Sequence, residues 1–205
     1  MPFSPDDSIL LESSRTSADL ELVVQAREGN QYAFEKLFER YNNQICTFMA
    51  RMAGNDGIGC DLTQETFLKA WEALPSLRDP SRFVSWLYRI ATNVAHDHQR
   101  RTRPSHWLPW DKDRKQKKVE EAIIAGPEEY IEEKELLKLA LAHVSLTYRA
   151  CLILYIVEEL PQRQIAEQLG IKESCISKYV SRGLEELRRI YFNLANEASI
   201  PEKVR

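Results

Sequence analysis

The segment QRQIAEQLGIKESCISKYVSRGLEELRR, residues 162–189, constrains this chain more than any other stretch. Apolar residues recur at helical spacing on both sides of Gly170. A lone glycine between two helical patterns ends the first helix, because it takes the positive φ of a tight turn without a Cβ clash. Ala166 is small, so a second helix can cross close to it. Ile165, Leu169 and Ile176 supply a small core beneath the crossing. The pattern is that of a helix-turn-helix, whose second helix enters the major groove of DNA. That helix offers Glu173, Ser174, Ser177, Lys178, Ser181 and Arg182. Its first residues would meet base edges, and Lys178, Arg182 and Arg188 would hold phosphates. The competing reading is an ordinary αα-hairpin with a glycine C-cap, on which the serine face is only solvated.

The rest of the chain repeats the helical period. Seven glycines in 205 residues argue against an architecture built from tight β turns. DLELVVQAREGN predicts a short helix from about Ala18, ended at Gly29-Asn30. In the next segment Phe34, Leu37, Phe38, Tyr41, Ile45, Phe48 and Met52 form one stripe, stopped at Gly54. NDGIG reads as a turn. A third helix follows, with Asp61 and Gln64 spaced as a capping box and Pro75 at its end. A fourth helix carries Phe83, Trp86, Leu87, Ile90 and Val94 at helical spacing. Four more helices are expected after residue 128, the third of them with Pro161 in its first turn. The expected fold class is all-α, as two small helical domains joined by a flexible linker.

The boundaries follow from composition. Residues 1–17 are polar, proline-punctuated and read as a frayed terminus, residues 18–103 as the first domain and 128–195 as the second. Residues 104–127 form the linker, with prolines, Trp107, Trp110 and a lysine-rich run, and 196–205 a tail. An aperiodic connection of about 25 residues is unusual inside one compact unit. Net charge is −3, yet the charge is unevenly placed. From Arg82 to Lys118 ten basic residues face three aspartates, and from Val119 to Glu135 seven glutamates face one lysine. A local basic block, not the total, is what neutralises phosphates.

Other chemistries lack support. Cys46, Cys60, Cys151 and Cys175 form no CxxC pair and read as reduced thiols. His96 and His98 stand two apart on a helix and point to different faces, which does not make a metal pair. There is no glycine-rich phosphate loop and no nucleophile elbow, so no enzyme and no cofactor is expected. No apolar run approaches the ~18 residues that span a bilayer. The N-terminus lacks the basic, then apolar, order of a signal peptide. A cytoplasmic location is expected.

DLTQETFLKAWEAL followed by RFVSWLYRIATNVAHDHQRR resembles region two of bacterial sigma factors of the sigma-70 family, in the extracytoplasmic-function (ECF, group IV) class. The resemblance rests on Asp61-Leu62, Gln64-Glu65, Phe67, Trp71, Trp86-Leu87, Asn93, Asp97-His98 and Arg100-Arg101. SLTYRACLILYIVEELPQRQIAEQLGIKESCISKYVSRGLEELR resembles region four. Together they cover most of the chain.

The resemblance implies a subunit that gives RNA polymerase its promoter specificity. Asp61, Gln64, Glu65, Leu68 and Trp71 would dock on the clamp helices of the largest subunit of core RNA polymerase, and the flap would be a further contact. Arg89, Asn93, Asp97, Arg100, Arg101 and Arg103 would meet the minus-10 element, where a base is unstacked and captured. The helix-turn-helix would read the minus-35 element. An anti-sigma factor is the expected regulatory partner, a stress or envelope regulon the expected output, and a monomer the expected free state. Cys175, Ser177 and Tyr179 stand where the family commonly has Thr, Lys and Arg, so the base contacts differ. The alternative is a stand-alone dimeric helix-turn-helix regulator, which would bind a palindrome without polymerase.

Overall fold

The computed structural model describes residues 18–102 and 133–198. The first unit has four helices. Helix α1 spans 18–27. Helix α2 (Gln31–Ala53) begins at Asn30, whose side chain accepts a hydrogen bond from the Ala33 N–H at 3.2 Å. It buries Leu37, Tyr41, Ile45, Phe48 and Met52, as the stripe predicts. Phe38 departs from that stripe, since it remains 36% exposed.

Helix α3 (Asp56–Ala73) starts five residues before the expected cap. Asn55 is the N-cap, with its side chain accepting from the Ile58 N–H at 3.0 Å. Asp61 therefore sits in the second turn and caps nothing, so the capping box of Asp61 and Gln64 is not formed. The expected turn at 55–59 is the cap and first turn of α3. Of the two glycines there, one is required. A Cβ on Gly59 would lie 2.5 Å from the Ala50 Cα, so glycine alone allows α2 and α3 to meet this closely. Two short 3₁₀ turns, Leu74–Ser76 and Pro80–Arg82, lead into α4 (Phe83–Thr102). Phe83, Leu87 and Val94 of α4 are buried, and Trp86 and Ile90 are half-buried.

The second unit contains α5 (Glu133–His143), α6 (Leu146–Leu152), α7 (Gln162–Leu169) and α8 (Glu173–Ala198). The sequence pattern predicts one helix from Leu146 to Leu160. The chain instead widens into a π-helical turn, Ile153–Val157, where the Glu158 N–H reaches the Ile153 carbonyl at 3.1 Å. Glu159 follows with φ of 51°. Pro161 is at the N-cap of α7, one place before the first helical turn where the pattern puts it. Helix α8 runs on to Ala198, through the first residues of the expected tail.

Among the described residues the fold is all-α, with no strand. The two units do not stand apart. Their buried side chains join in one apolar core, in which Leu37, Phe48 and Leu87 of the first unit connect with Ile153, Ile165 and Ile176 of the second. Helix α4 packs along α7. The expected linker, 104–127, lies outside the described residues, as does the 1–17 terminus.

Candidate nucleic-acid and polymerase interfaces

The turn between α7 and α8 has the geometry the sequence requires. Gly170 has φ of 66° and ψ of 33°, and its N–H bonds the Ala166 carbonyl. Ile165 and Ile176 are fully buried, Ala166 is buried and Leu169 half-buried. Glu173, Ser174, Ser177, Lys178, Ser181 and Arg182 all lie exposed on the first three turns of α8. Arg182 also donates to the Tyr148 hydroxyl at 3.4 Å, which holds it toward α6. The arrangement is a row of donors and acceptors on one side of a helix whose other side is anchored in the core.

On α4, Arg89, Asn93, Arg100 and Arg101 are exposed and Asp97 is half-buried. Arg103 lies outside the described residues. These side chains do not form one free surface. The Arg89 guanidinium lies across the Gly170 turn, 3.6 Å from where a Cβ of residue 170 would stand. Arg100 pairs with Asp97 at 3.1 Å, and Arg101 reaches both carboxylate oxygens of Glu65 at 3.2 Å.

On α3, Asp61, Gln64 and Leu68 form an exposed ridge, with Leu68 66% exposed. Glu65 differs from its neighbours. It pairs with Lys69 at 2.9 Å and with Arg101 of α4. The hydrogen bond from Lys69, helped by Arg101, holds its carboxyl below the usual carboxylate range despite some burial. Trp71 is half-buried and packs on Phe34 with ring centroids 4.9 Å apart. Beside the ridge, Gln31, Phe34, Phe38, Phe67, Leu68 and Trp71 line an open apolar cleft of about 460 Å³. Phe34 and Phe38 read as core in the sequence, because a helical stripe does not say whether its edge is covered.

Sequence reasoning missed the joint between the two units. Arg149 of α6 is buried at 3% exposure. Its guanidinium donates to the carbonyls of Met52, Ala142 and Val144, the last at 2.7 Å, and so caps the C-terminal ends of α2 and α5 together. Burial lowers its pKa to about 10, which leaves it charged at neutral pH. Arg51 pairs with Glu158 of the π-helical turn at 2.9 Å. An arginine inside an apolar helix pattern was the available signal, since full burial of an unpaired guanidinium is rare. Its acceptors are main-chain atoms, which no residue pattern reveals.

Residues 37–104 match the family model for sigma-70 region 2, and residues 134–187 match that for sigma-70 region 4. The chain is 29% identical over 174 residues to the ECF RNA polymerase sigma factor SigW of Bacillus subtilis (strain 168), covering 82% of this chain and 93% of that protein. It is 38% identical over 85 residues to the ECF RNA polymerase sigma-E factor of Escherichia coli (strain K12), covering 42% of this chain and 44% of that one. In structure it resembles CnrH, solved in complex with the cytosolic domain of CnrY, with a TM-score of 0.60 at 23% identity over 89% of this chain and 99% of that one. It also resembles the sigma factor RpoE of Bartonella quintana, solved with the anti-sigma factor NepR, with a TM-score of 0.55 at 20% identity over 77% and 95% of the two chains. The structural likenesses agree with the helical fold described above. With both regional models matched in order across more than half of the chain, and a relative aligned over most of its length, this protein belongs to the sigma-70 family, in the ECF class of RNA polymerase sigma factors.

Proposed function

We propose that this sigma factor docks on core RNA polymerase through the α3 ridge, reads a minus-35 duplex with α8, and captures the melted minus-10 strand along α4. The observation that carries the reading is the row from Glu173 to Arg182, exposed directly after the Gly170 turn and held on a buried Ile165–Ile176 base. Glu173, Ser174 and Ser177 suit base edges, and Lys178 and Arg182 suit phosphates. Asn93, exposed on α4, suits the edge of an unstacked base, with Arg89 and Arg100 along the backbone and Arg103 continuing the basic run. Asp61, Gln64 and Leu68 present acidic, amide and apolar groups on neighbouring turns, beside a cleft large enough for a partner's apolar side chain. The protein supplies recognition and performs no chemistry itself.

The packed arrangement sets a requirement on this function. A compact chain of this length has a radius of gyration of about 17 Å and is about 45 Å across. Minus-35 and minus-10 elements are separated by about 25 base pairs, or roughly 85 Å of B-form helix. The α4–α7 contact must therefore part when both elements are held. An anti-sigma factor, like the NepR bound to RpoE of Bartonella quintana, would act by covering these faces or by keeping the units together. An envelope or stress regulon is the output this class suggests, and the cytoplasm is where such a subunit meets its polymerase.

The test is a titration of labelled protein against core polymerase without DNA. Nanomolar binding, weakened at least tenfold by the double change Asp61→Ala and Leu68→Ala, is expected. Tight binding to palindromic duplex DNA with no affinity for polymerase would overturn the reading in favour of a stand-alone regulator.

A further inference from the structure

Cys46 of α2 and Cys60 of α3 bring their sulfur atoms to 3.5 Å, one thiol against the other. The approach has a cause in the backbone. At Gly59 the two helices meet so closely that any Cβ would strike Ala50. Cys46 stands one turn before Ala50 on α2, and Cys60 follows Gly59 on α3. The tight crossing thus carries both sulfurs to the same edge of the helix pair. Cys60 is exposed and Cys46 half-buried. Both line a cleft of about 520 Å³ bounded by α2, α3 and α5, with Arg51, Asp56, Glu135 and Lys138 around it. A small oxidant can reach them there. Cys151, by contrast, is fully buried.

We propose that Cys46 and Cys60 form a dithiol modification site, which hydrogen peroxide closes to a disulfide. In the first step one sulfur attacks a peroxide oxygen. The O–O bond breaks, the leaving oxygen departs as water, and the sulfur becomes a sulfenic acid. In the second step the other sulfur attacks the sulfenic sulfur, the S–O bond breaks and a second water leaves. Two thiols lose two hydrogens and two electrons, and hydrogen peroxide becomes two waters. The sulfurs must close from 3.5 Å to about 2.0 Å. The second step is intramolecular between groups already in contact, which favours the disulfide over further oxidation of a lone sulfenic acid.

The surroundings set the sensitivity of the pair. The hydrogen bond to Cys46, then the charge beside it, slight burial and the carboxylates of Asp56 and Asp61, push the Cys60 thiol above its ordinary range. The shift slows attack by Cys60 itself, because the protonated thiol is the poorer nucleophile. The cross-link would tie α2 to α3 directly before Asp61, whatever that residue contacts. The proposal stands independently of the promoter-binding reading.

The experiment treats the full chain with hydrogen peroxide, alkylates the remaining thiols and maps the peptides by mass spectrometry. A linked peptide pair containing Cys46 and Cys60, lighter by two hydrogens and separated by dithiothreitol, is expected. The same link should form when Cys151 and Cys175 are both changed to Ser. It should vanish in Cys46→Ser, where Cys60 would instead gain oxygen. A link between two chains only, a link to Cys175, or independent alkylation of both thiols after saturating peroxide would overturn the proposal.

Discussion

The guanidinium of Arg149 hydrogen-bonds the main-chain carbonyl of Met52, 97 positions earlier in the chain. One side chain thereby closes the end of α2 in the first unit and the end of α5 in the second. The last carbonyls of a helix have no partner within it, so a buried helix end needs a donor from elsewhere. A planar guanidinium with five N–H groups can serve three carbonyls at once, which an ammonium group cannot do in the same geometry.

Replacing Arg149 with Met keeps the bulk and leaves buried carbonyls without donors. The expected loss is about 3 kcal/mol of unfolding free energy, measured by urea denaturation of the full chain. Arg149→Lys should recover less than half of that loss, because it cannot span the three acceptors. Full recovery by lysine would show that charge alone is needed.

Gly59 and Gly170 look alike in the sequence and should respond differently to alanine. At Gly170 the added Cβ meets only the Arg89 side chain at ordinary contact distance, so the cost is the positive φ. That is about 1 kcal/mol. At Gly59 the backbone is ordinary helix, but the Cβ strikes the Ala50 main chain. Gly59→Ala should therefore cost about 3 kcal/mol, the upper part of the overpacking range. Thermal unfolding of both variants checks the order.

Glu65 and Arg101 should compete with nucleic acid. Glu65→Gln removes the carboxylate that neutralises Arg101 and frees the guanidinium for a backbone phosphate. Binding of the minus-10 single strand should tighten, with a log–log salt slope steeper by about 0.7. The pH sign is defined as well. Because the folded-state pKa of Glu65 lies below its unfolded value, the stability from its ion pairs is present at neutral pH. That contribution fades as pH falls through the folded pKa. The stability difference between wild type and Glu65→Gln, under about 1 kcal/mol for so exposed a pair, should vanish in acid.

Opening of the two units should be visible by energy transfer. Dyes on cysteines placed at the exposed positions Glu21 of α1 and Glu185 of α8, in a chain with Cys46, Cys60 and Cys175 changed to Ser, should separate when polymerase and promoter DNA bind. Glu158→Ala removes the pair with Arg51 and should shift the free protein toward the separated state. Unchanged transfer on promoter binding would mean that the packed arrangement persists in the complex.

Much of this architecture was legible in the sequence. The Gly170 turn, the small Ala166 and the buried Ile165 and Ile176 follow from local sterics and a 3.6-residue period, both of which act within one or two turns of chain. The exposed row on α8 follows from the same period. The start of α3 was misjudged because Asn55, Asp56 and Asp61 are all plausible caps locally. Asn55 is the residue that caps, and Gly59, whose missing Cβ lets α2 approach, follows it in the first turn of α3. Tertiary structure alone decided the rest. Whether Phe38 is core or cleft wall, whether Arg101 is free or held by Glu65, and whether Cys46 meets Cys60 depend on which surfaces of distant helices touch. Arg149 is the extreme case, since its partners are backbone carbonyls common to every residue. The sequence by itself determined the helical class, most of the helices, the Gly170 turn and the family, because these follow from local periodicity and sterics. The packing of the helices decided which of their side chains remain available to a partner, because burial and charge pairing are properties of surfaces in contact.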